Sequence, residues 1–187
     1  MLKDLIRKNR TYRRFDASHK IELDDLKDMV DAARLGSSGA NLQPLKYYLS
    51  ASDEINDTIF ETLRWAGGLK DWNGPELEER PSGYIVMVHD TSISKQPYWD
   101  HGIAAQSILL TATEKGLGGC MFASFDRSLA QKLKLDEKYN ILMVIAIGKP
   151  IEDVVLVDLP EDGKTAYYRD EKKTHYVPKR SLEEIIL

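Results

Sequence analysis

The sequence predicts an α+β fold in which helices surround one mixed β-sheet. Short segments rich in β-branched and aromatic residues alternate with segments whose apolar residues recur at helical spacing. Such an alternation could also indicate a parallel sheet of βαβ units, but the segments are irregularly spaced and no glycine-rich phosphate loop follows a predicted strand. The 187 residues suit one domain, because domains typically contain about 100 to 200 residues. We therefore expect a single domain over residues 1–187.

The first half of the chain predicts three helices and two strands. They are a short N-terminal helix that ends at Asn9, a helix over 23–33, a strand over 46–51, a helix over 55–65 and a strand over 83–89. Gly36 is expected to end the second helix with a positive φ, and Gly67 and Gly68 to end the third. The charged, proline-containing segment 69–81 is expected to form a surface loop.

The second half predicts the central helix over 100–115, whose apolar residues cover so much of its circumference that it should be largely buried. Asp100 and His101 are expected to cap its start, and Gly116 its end. A strand over 119–123, a helix over 127–133 and a strand over 141–147 follow. The remaining tail, about 151–187, shows little periodicity before residues 182–186, a pattern typical of a segment that lies across another part of an assembly.

Composition and charge exclude several classes of protein. The net charge is -4, although residues 1–20 carry seven Lys or Arg against two Asp, so a basic N-terminus sits on an acidic body and a nucleic-acid partner is not expected. A single cysteine, Cys120, cannot form an internal disulfide and favours a reducing cytoplasm. The chain has no apolar run near the roughly 20 residues of a membrane span. Its four histidines are scattered without metal-ligand spacing, so no metal site is expected.

The basic N-terminal stretch N-R-T-Y-R-R-F-D, residues 9–16, is the first candidate site. Arginine guanidinium groups and a threonine hydroxyl match the hydrogen-bonding needs of a phosphate group. In an extended segment Arg10 and Arg14 face opposite to Arg13, so the three arginines serve one anion only if the chain bends. A solvated basic segment that forms surface ion pairs is an equally good interpretation of this stretch alone.

Two further segments offer polar groups. The loop S-S-G-A-N-L-Q-P, residues 37–44, has uncharged donors and acceptors that suit a neutral heterocycle, although these residues are also ordinary in a helix-to-strand loop. The segment V-P-K-R-S-L, residues 177–182, could supply cations or could be only a basic pair before a helix capped by Ser181.

The glycines of E-K-G-L-G-G-C-M-F-A-S-F-D, residues 114–126, permit a close approach of the backbone. They do not form a dinucleotide-binding fingerprint, because Met121 stands where the third glycine would be and no helix follows. The sequence also lacks the spacing of a hydrolytic triad or a metalloprotease site, so we expect no side chain to act as a catalytic acid, base or nucleophile.

In combination and order, these motifs resemble those of the nitroreductase family of flavin-dependent oxidoreductases. R-T-Y-R-R-F resembles the family's R-x-S-x-R-x-F, with Thr11 in place of the usual serine, and the segment from Ser38 to Pro44 resembles its S-x-x-N-x-Q-P motif. G-L-G-G, I-G-K-P and P-K-R follow in the same order, so the resemblance covers essentially the whole chain.

The resemblance implies a sandwich with a mainly antiparallel sheet, an intertwined homodimer, and FMN at its interface. It would place the FMN phosphate and ribityl chain among Arg10, Thr11, Arg13, Lys179 and Arg180. The partner would contribute Ser38, Asn41 and Gln43, and the backbone near Ala123 and Ser124 would lie against the flavin ring. The tail would extend around the partner.

The resemblance also implies the chemistry. FMN would take hydride at N5 from NADH or NADPH and pass electrons to a small-molecule acceptor, such as a nitroaromatic or a quinone, in a ping-pong cycle. Three alternatives stay open at this point: a specialised flavin enzyme that acts on one metabolite, a flavin-binding module without turnover, and a purely structural homodimer.

Overall fold

A computed structural model describes residues 1–67, 69 and 72–187, in which helices cover both faces of a five-stranded sheet. The helices are α1 (Leu2–Lys8), α2 (Leu23–Arg34), α3 (Asp53–Phe60), α4 (Asp100–Glu114), α5 (Leu129–Lys132) and α6 (Leu182–Ile185). The strands are β1 (Phe15–Asp16), β2 (Leu45–Ser50), β3 (Gly83–Asp90), β4 (Gly118–Phe122), β5 (Tyr139–Pro150), β6 (Val154–Asp158), β7 (Tyr168–Arg169) and β8 (His175–Lys179). The predicted α+β class is therefore confirmed.

The main sheet has the strand order β1-β5-β3-β2, and β4 also pairs with β5. Each of these pairings is antiparallel, and β5 is the longest strand, with 12 residues. Because β5 pairs with β4 over residues 144–148 and with β1 over 149–150, it brings the N-terminal arginine stretch next to the start of β4. The expectation of a mainly antiparallel sheet is confirmed.

The core lies on both faces of β3, all eight residues of which are buried. Tyr84 and Val86 pack on one face against residues of α3 and α5, while Ile85 and Met87 pack on the other against α2 and α4. Side chains of a strand alternate between its two faces, so one central strand can contribute to two cores. Two helical layers thus enclose the sheet, and its ends and loops carry the polar residues.

Two predicted helix ends are wrong. The third helix ends at Phe60 and not at residue 65, because the backbone at Thr62 and Arg64 instead bonds to residues 124–126. Gly36 does not adopt a positive φ; α2 ends at Arg34, and the N–H of Gly36 bonds back to the carbonyl of Ala33. Gly68, predicted to take part in ending the third helix, lies outside the described residues.

The tail differs most from its expectation, because it contains a second sheet. β6 and β8 pair in parallel and β7 pairs antiparallel with β8, which gives the order β6-β8-β7. These strands lacked a sequence signal because β7 has only two residues and β6 exposes Val155 and Leu156, so neither alternates between an apolar and a polar face. The predicted final helix is present, and Ser181 caps it.

The predicted surface loop 69–81 contains one helical turn, Leu77–Glu79, and Lys70 and Asp71 within it lie outside the described residues. Gly116 follows the C-terminal end of α4 with a φ of 71°, so it ends this helix as predicted. Within residues 1–67, 69 and 72–187, none of the helices combines the length and apolar character that a membrane crossing requires.

Candidate functional site

The arginine stretch lies against the glycine turn at the start of β4. Thr11 forms a parallel bridge with Gly119, and the N–H of Tyr12 donates to the carbonyl of Gly119 over 3.0 Å. A Cβ on Gly118 would lie 2.4 Å from Cδ2 of Tyr12, closer than packed carbon atoms approach. Gly118 of the G-L-G-G segment is therefore required for Tyr12 to pack at this position.

The three arginines of the stretch have different environments. Arg14 forms a bidentate pair with Glu79, in which Nε donates to Oε2 over 2.7 Å and a second nitrogen donates to Oε1. The Arg13 guanidinium instead lies over the ring of Tyr167, 4.7 Å from its centroid, and pairs with no carboxylate in the part of the chain that the structure describes. Arg13, unlike Arg14, therefore has no carboxylate partner among the described residues.

Arg10 faces a different surface from Arg13. One of its terminal nitrogens donates to the carbonyl of Ile6 over 2.7 Å, while its buried Nε has no partner among the described residues. Arg10 and Tyr12 line an open groove of about 630 Å³ beside the C-terminal end of α4. Arg13 does not line that groove, so the structure does not bring Arg10 and Arg13 to one point, and the phosphate role of Arg10 remains a prediction.

The loop of Ser38, Asn41 and Gln43 is held by an aspartate that sequence analysis assigned elsewhere. Ser38 Oγ donates to Oδ2 of Asp100 over 2.5 Å, and the N–H of Gly39 donates to Oδ1 over 2.8 Å. The N–H of Gln43 then donates to Ser38 Oγ over 2.9 Å. Asp100 makes no side-chain cap for its own helix, so that prediction is wrong. No sequence signal links positions 38 and 100.

The backbone of this loop adopts the left-handed region at three residues that are not glycine. Ala40, Asn41 and Gln43 have φ values of 49°, 55° and 52°. Each such residue is disfavoured by roughly 1–2 kcal/mol, and strained residues of this kind cluster at binding sites. The side chains of Asn41 and Gln43 are exposed, and Nε2 of Gln43 donates to Oδ1 of Asn41 over 3.2 Å. The loop therefore presents amide groups in a fixed arrangement.

Ala123 and Ser124 follow β4 directly and are exposed. The carbonyl of Ser124 accepts the N–H of Arg64 over 3.2 Å, and Leu63 forms an antiparallel bridge with Phe125. This neighbouring backbone holds the segment while leaving the two predicted residues at the surface.

Lys179 is the last residue of β8, and Arg180 follows it. His175, which lies near Arg13, is at the opposite end of this strand. Lys179 is exposed, and Arg180 pairs with Glu184 of α6 over 3.1 Å. Lys179 follows His175 by four positions along the strand, so their Cα atoms lie about 13 Å apart. Among the described residues, no hydrogen bond or ion pair joins Lys179 or Arg180 to the arginine stretch.

The two main groups of predicted residues lie at opposite ends of α4. The loop 38–43 contacts Asp100 at the N-terminal end, while the groove of Arg10 includes Thr113 and Glu114 at the C-terminal end. A helix of 15 residues is about 21 Å long from its first to its last Cα. One chain therefore holds the arginine stretch and the polar loop far apart.

Comparison with known proteins gives a consistent result. The sequence model of the Nitroreductase family matches residues 6–149. MhqN of Bacillus subtilis (strain 168), provisionally named an NAD(P)H nitroreductase, is 23% identical over 188 aligned positions, which cover 78% of this chain and 86% of MhqN.

Solved structures share the fold. A nitroreductase family protein from Streptococcus pneumoniae TIGR4 superposes with a TM-score of 0.73 at 15% identity, over 100% of this chain and 99% of that chain. An FMN-dependent nitroreductase from Clostridium difficile R20291 superposes with a TM-score of 0.64 at 25% identity, over 80% of this chain and 87% of that chain.

Proposed function

The chain belongs to the Nitroreductase family, and from this premise we propose that it is an FMN-dependent oxidoreductase that uses NADH or NADPH. The name of MhqN includes the reductant NAD(P)H, and the name of the Clostridium difficile protein includes the cofactor FMN. Flavin chemistry also agrees with the absence of a catalytic triad from the sequence, because a cofactor that carries the reaction leaves the protein to bind and orient.

The observation that carries this proposal is the Arg13 guanidinium, which has no carboxylate partner among the residues that the structure describes. A phosphate needs charge-assisted donors that are not already neutralised by a carboxylate. Arg13 rests on an aromatic face, whereas the charge of neighbouring Arg14 is paired with the carboxylate of Glu79. Thr11, two residues before Arg13, is also exposed, and we propose that its hydroxyl supplies a further hydrogen bond to the phosphate. The residues present therefore fit the phosphate of FMN.

The other predicted residues have complementary roles. When bound, FMN would accept hydride at N5 and return electrons to a second substrate in a ping-pong cycle. Asn41 and Gln43 would donate to and accept from the pyrimidine edge of the flavin, with Ser38 holding the loop that carries them. The exposed backbone of Ala123 and Ser124 would lie against the flavin ring system.

A homodimer explains how residues at the two ends of α4 could serve one cofactor. We infer that the polar loop of one protomer meets the arginine stretch of its partner, since the two groups lie about 21 Å apart along α4 of one chain. Exposed apolar side chains support such an interface: they include Leu42, Trp99 and Ile103, and, at the end of the tail, Leu182, Ile185 and Ile186. The exposure of Ile103 shows that α4 is less buried than the sequence predicts.

The tail would then reach the partner through its distal part. Its proximal part, around Glu152 and His175, contacts the same chain. Lys179 at the end of β8, Arg180 and α6 are exposed, so they are the residues that we propose extend around the partner and bring cations to the phosphate.

An anaerobic titration tests the proposed function. Purified protein, loaded with FMN, should show a flavin absorption spectrum that bleaches when NADH or NADPH is added. A nitroaromatic or a quinone should serve as acceptor. Protein that takes up no FMN would refute the proposal, and bound FMN that neither nicotinamide reduces would indicate a flavin-binding module without turnover. A mass measurement at micromolar concentration should give a dimer; a monomer that retains FMN would refute the interface site.

A further inference from the structure

The proximal tail holds the backbone of the arginine stretch through one buried carboxylate. The side chain of Glu152 is fully buried. Its Oε1 accepts the N–H groups of both Arg13 and Arg14, the second over 3.1 Å, and its Oε2 accepts a terminal nitrogen of Arg169 over 2.8 Å. Glu152 lies 139 positions along the chain from Arg13, so this contact is a tertiary one.

The same part of the tail also supports the side chain of Arg13. Arg169 Nε donates to Nδ1 of His175 over 3.3 Å. The His175 ring stacks on Tyr167, with centroids 5.0 Å apart, and Tyr167 lies beneath the Arg13 guanidinium. These contacts connect the backbone of Arg13 to its own side chain through residues of the tail. We call Glu152, Tyr167, Arg169 and His175 the Arg13 network.

The arrangement of charge keeps the Arg13 guanidinium available. One carboxylate oxygen of Glu152 accepts the backbone N–H of Arg13, and the other accepts a hydrogen bond from Arg169. Glu152 therefore does not pair with the Arg13 side chain. His175 accepts at Nδ1 and therefore carries its proton on Nε2. Burial, with Arg13 and Arg169 nearby, lowers the pKa of His175 to about 4, so the ring is neutral at pH 7. The network fixes Arg13 without neutralising it.

An arginine with only a structural role can be held by a direct ion pair, without the backbone and aromatic contacts that hold Arg13. Arg14, one residue further on, is held by the direct route of a bidentate carboxylate, which occupies its donors. Arg13 is held from its backbone and through an aromatic face, and within the described residues its guanidinium pairs with no carboxylate. Adjacent arginines are thus treated in opposite ways by the same fold.

We propose that the Arg13 network is a set of positioning residues that hold Arg13 ready to bind the phosphate of FMN. The inference rests on the proposed function. It assigns to the proximal tail a role within its own protomer, separate from any role that Lys179 and Arg180 have at the partner.

The test compares two matched carboxylate variants and two flavins. Glu152→Gln removes the charge at the centre of the network, and Glu79→Gln removes the charge of the neighbouring Arg14 pair, which lies outside it. The full-length variants are titrated with FMN and with riboflavin, which lacks the phosphate, and flavin fluorescence is recorded. Glu152→Gln should raise the dissociation constant for FMN by about 10-fold and leave that for riboflavin unchanged. Glu79→Gln should change neither.

A second variant covers the case in which Glu152→Gln fails to fold. Tyr167→Leu keeps an apolar side chain and removes the aromatic face under Arg13, so it should also weaken FMN binding and spare riboflavin. In the double variant with Arg13→Ala, neither substitution should weaken FMN binding further. Equal losses for FMN and riboflavin, or FMN affinity unchanged in both variants, would overturn the inference. Wild-type protein that binds no flavin would instead refute the proposed function.

Discussion

Replacing Arg13 and Arg14 separately by alanine should produce opposite patterns of effect. Arg13→Ala removes a guanidinium that has no carboxylate partner among the described residues, and it should weaken FMN binding. The loss of one charge-assisted hydrogen bond is worth about 1.5–3 kcal/mol, which corresponds to roughly a 10-fold to 150-fold higher dissociation constant. Its effect on stability should be small, because the side chain's described contact is the face of Tyr167, worth about 0.5–1 kcal/mol at a partly exposed site.

Arg14→Ala should have the reverse effect. It leaves the carboxylate of Glu79 without its partner, and the two side chains are only 13% and 21% exposed. Loss of this pair should cost about 1–3 kcal/mol, and each kcal/mol lowers the melting temperature of a protein of this size by about 2–4 °C. The affinity for FMN should stay at the wild-type value.

Fluorescence titration with FMN and thermal denaturation of the flavin-free protein measure the two quantities independently. The reasoning is wrong if Arg14→Ala weakens FMN binding as much as Arg13→Ala does. It is also wrong if Arg13→Ala lowers the melting temperature more than Arg14→Ala while FMN affinity stays constant.

Three further predictions concern the parts of the fold that support the site. Asp100→Ala removes both hydrogen bonds that hold Ser38 and Gly39, so amide hydrogen exchange in residues 38–43 should become faster and FMN binding weaker; unchanged exchange would show that the loop holds itself. Gly118→Ala places a methyl group 2.4 Å from Tyr12 and should cost about 1–3 kcal/mol in urea denaturation, whereas wild-type stability would mean that the stretch moves freely. His175 has a folded-state pKa of about 4 against an ordinary 6.5, so the unfolded chain binds more protons between these values. The free energy of unfolding should therefore fall as the pH drops from 6.5 to 4, by at most about 3 kcal/mol from this group. The urea midpoint of His175→Gln should fall less over this pH range than that of the wild type, and an equal fall would contradict the prediction.

Sequence patterns within single segments predicted most of the helices and strands. The apolar periodicities of α2 and α4 and the β-branched run of β3 predict elements that the structure contains, because each is encoded within one segment. The end of α3 was not predictable in this way, since its backbone leaves the helix to bond residues 124–126. The tail sheet was missed for a related reason, because its strands are short and partly exposed.

The same distinction applies to the site. Sequence analysis separated Arg14 from the proposed ligand positions, and the structure gives Arg14 an acidic neighbour, Glu79. Sequence analysis assigned Asp100 to a helix cap and gave Glu152 no role, because their partners lie 62 and 139 positions away in the chain. A carboxylate that holds a loop or a backbone N–H leaves no local spacing pattern, so only the tertiary structure identifies it.

Anaerobic half-reactions of the FMN-loaded protein test the central claim most directly. The proposed ping-pong cycle predicts that NADH or NADPH bleaches the flavin absorbance, and that the reduced protein, freed of nicotinamide, regains it when a quinone or a nitroaromatic is added. Flavin that stays oxidised with both nicotinamides would contradict the account.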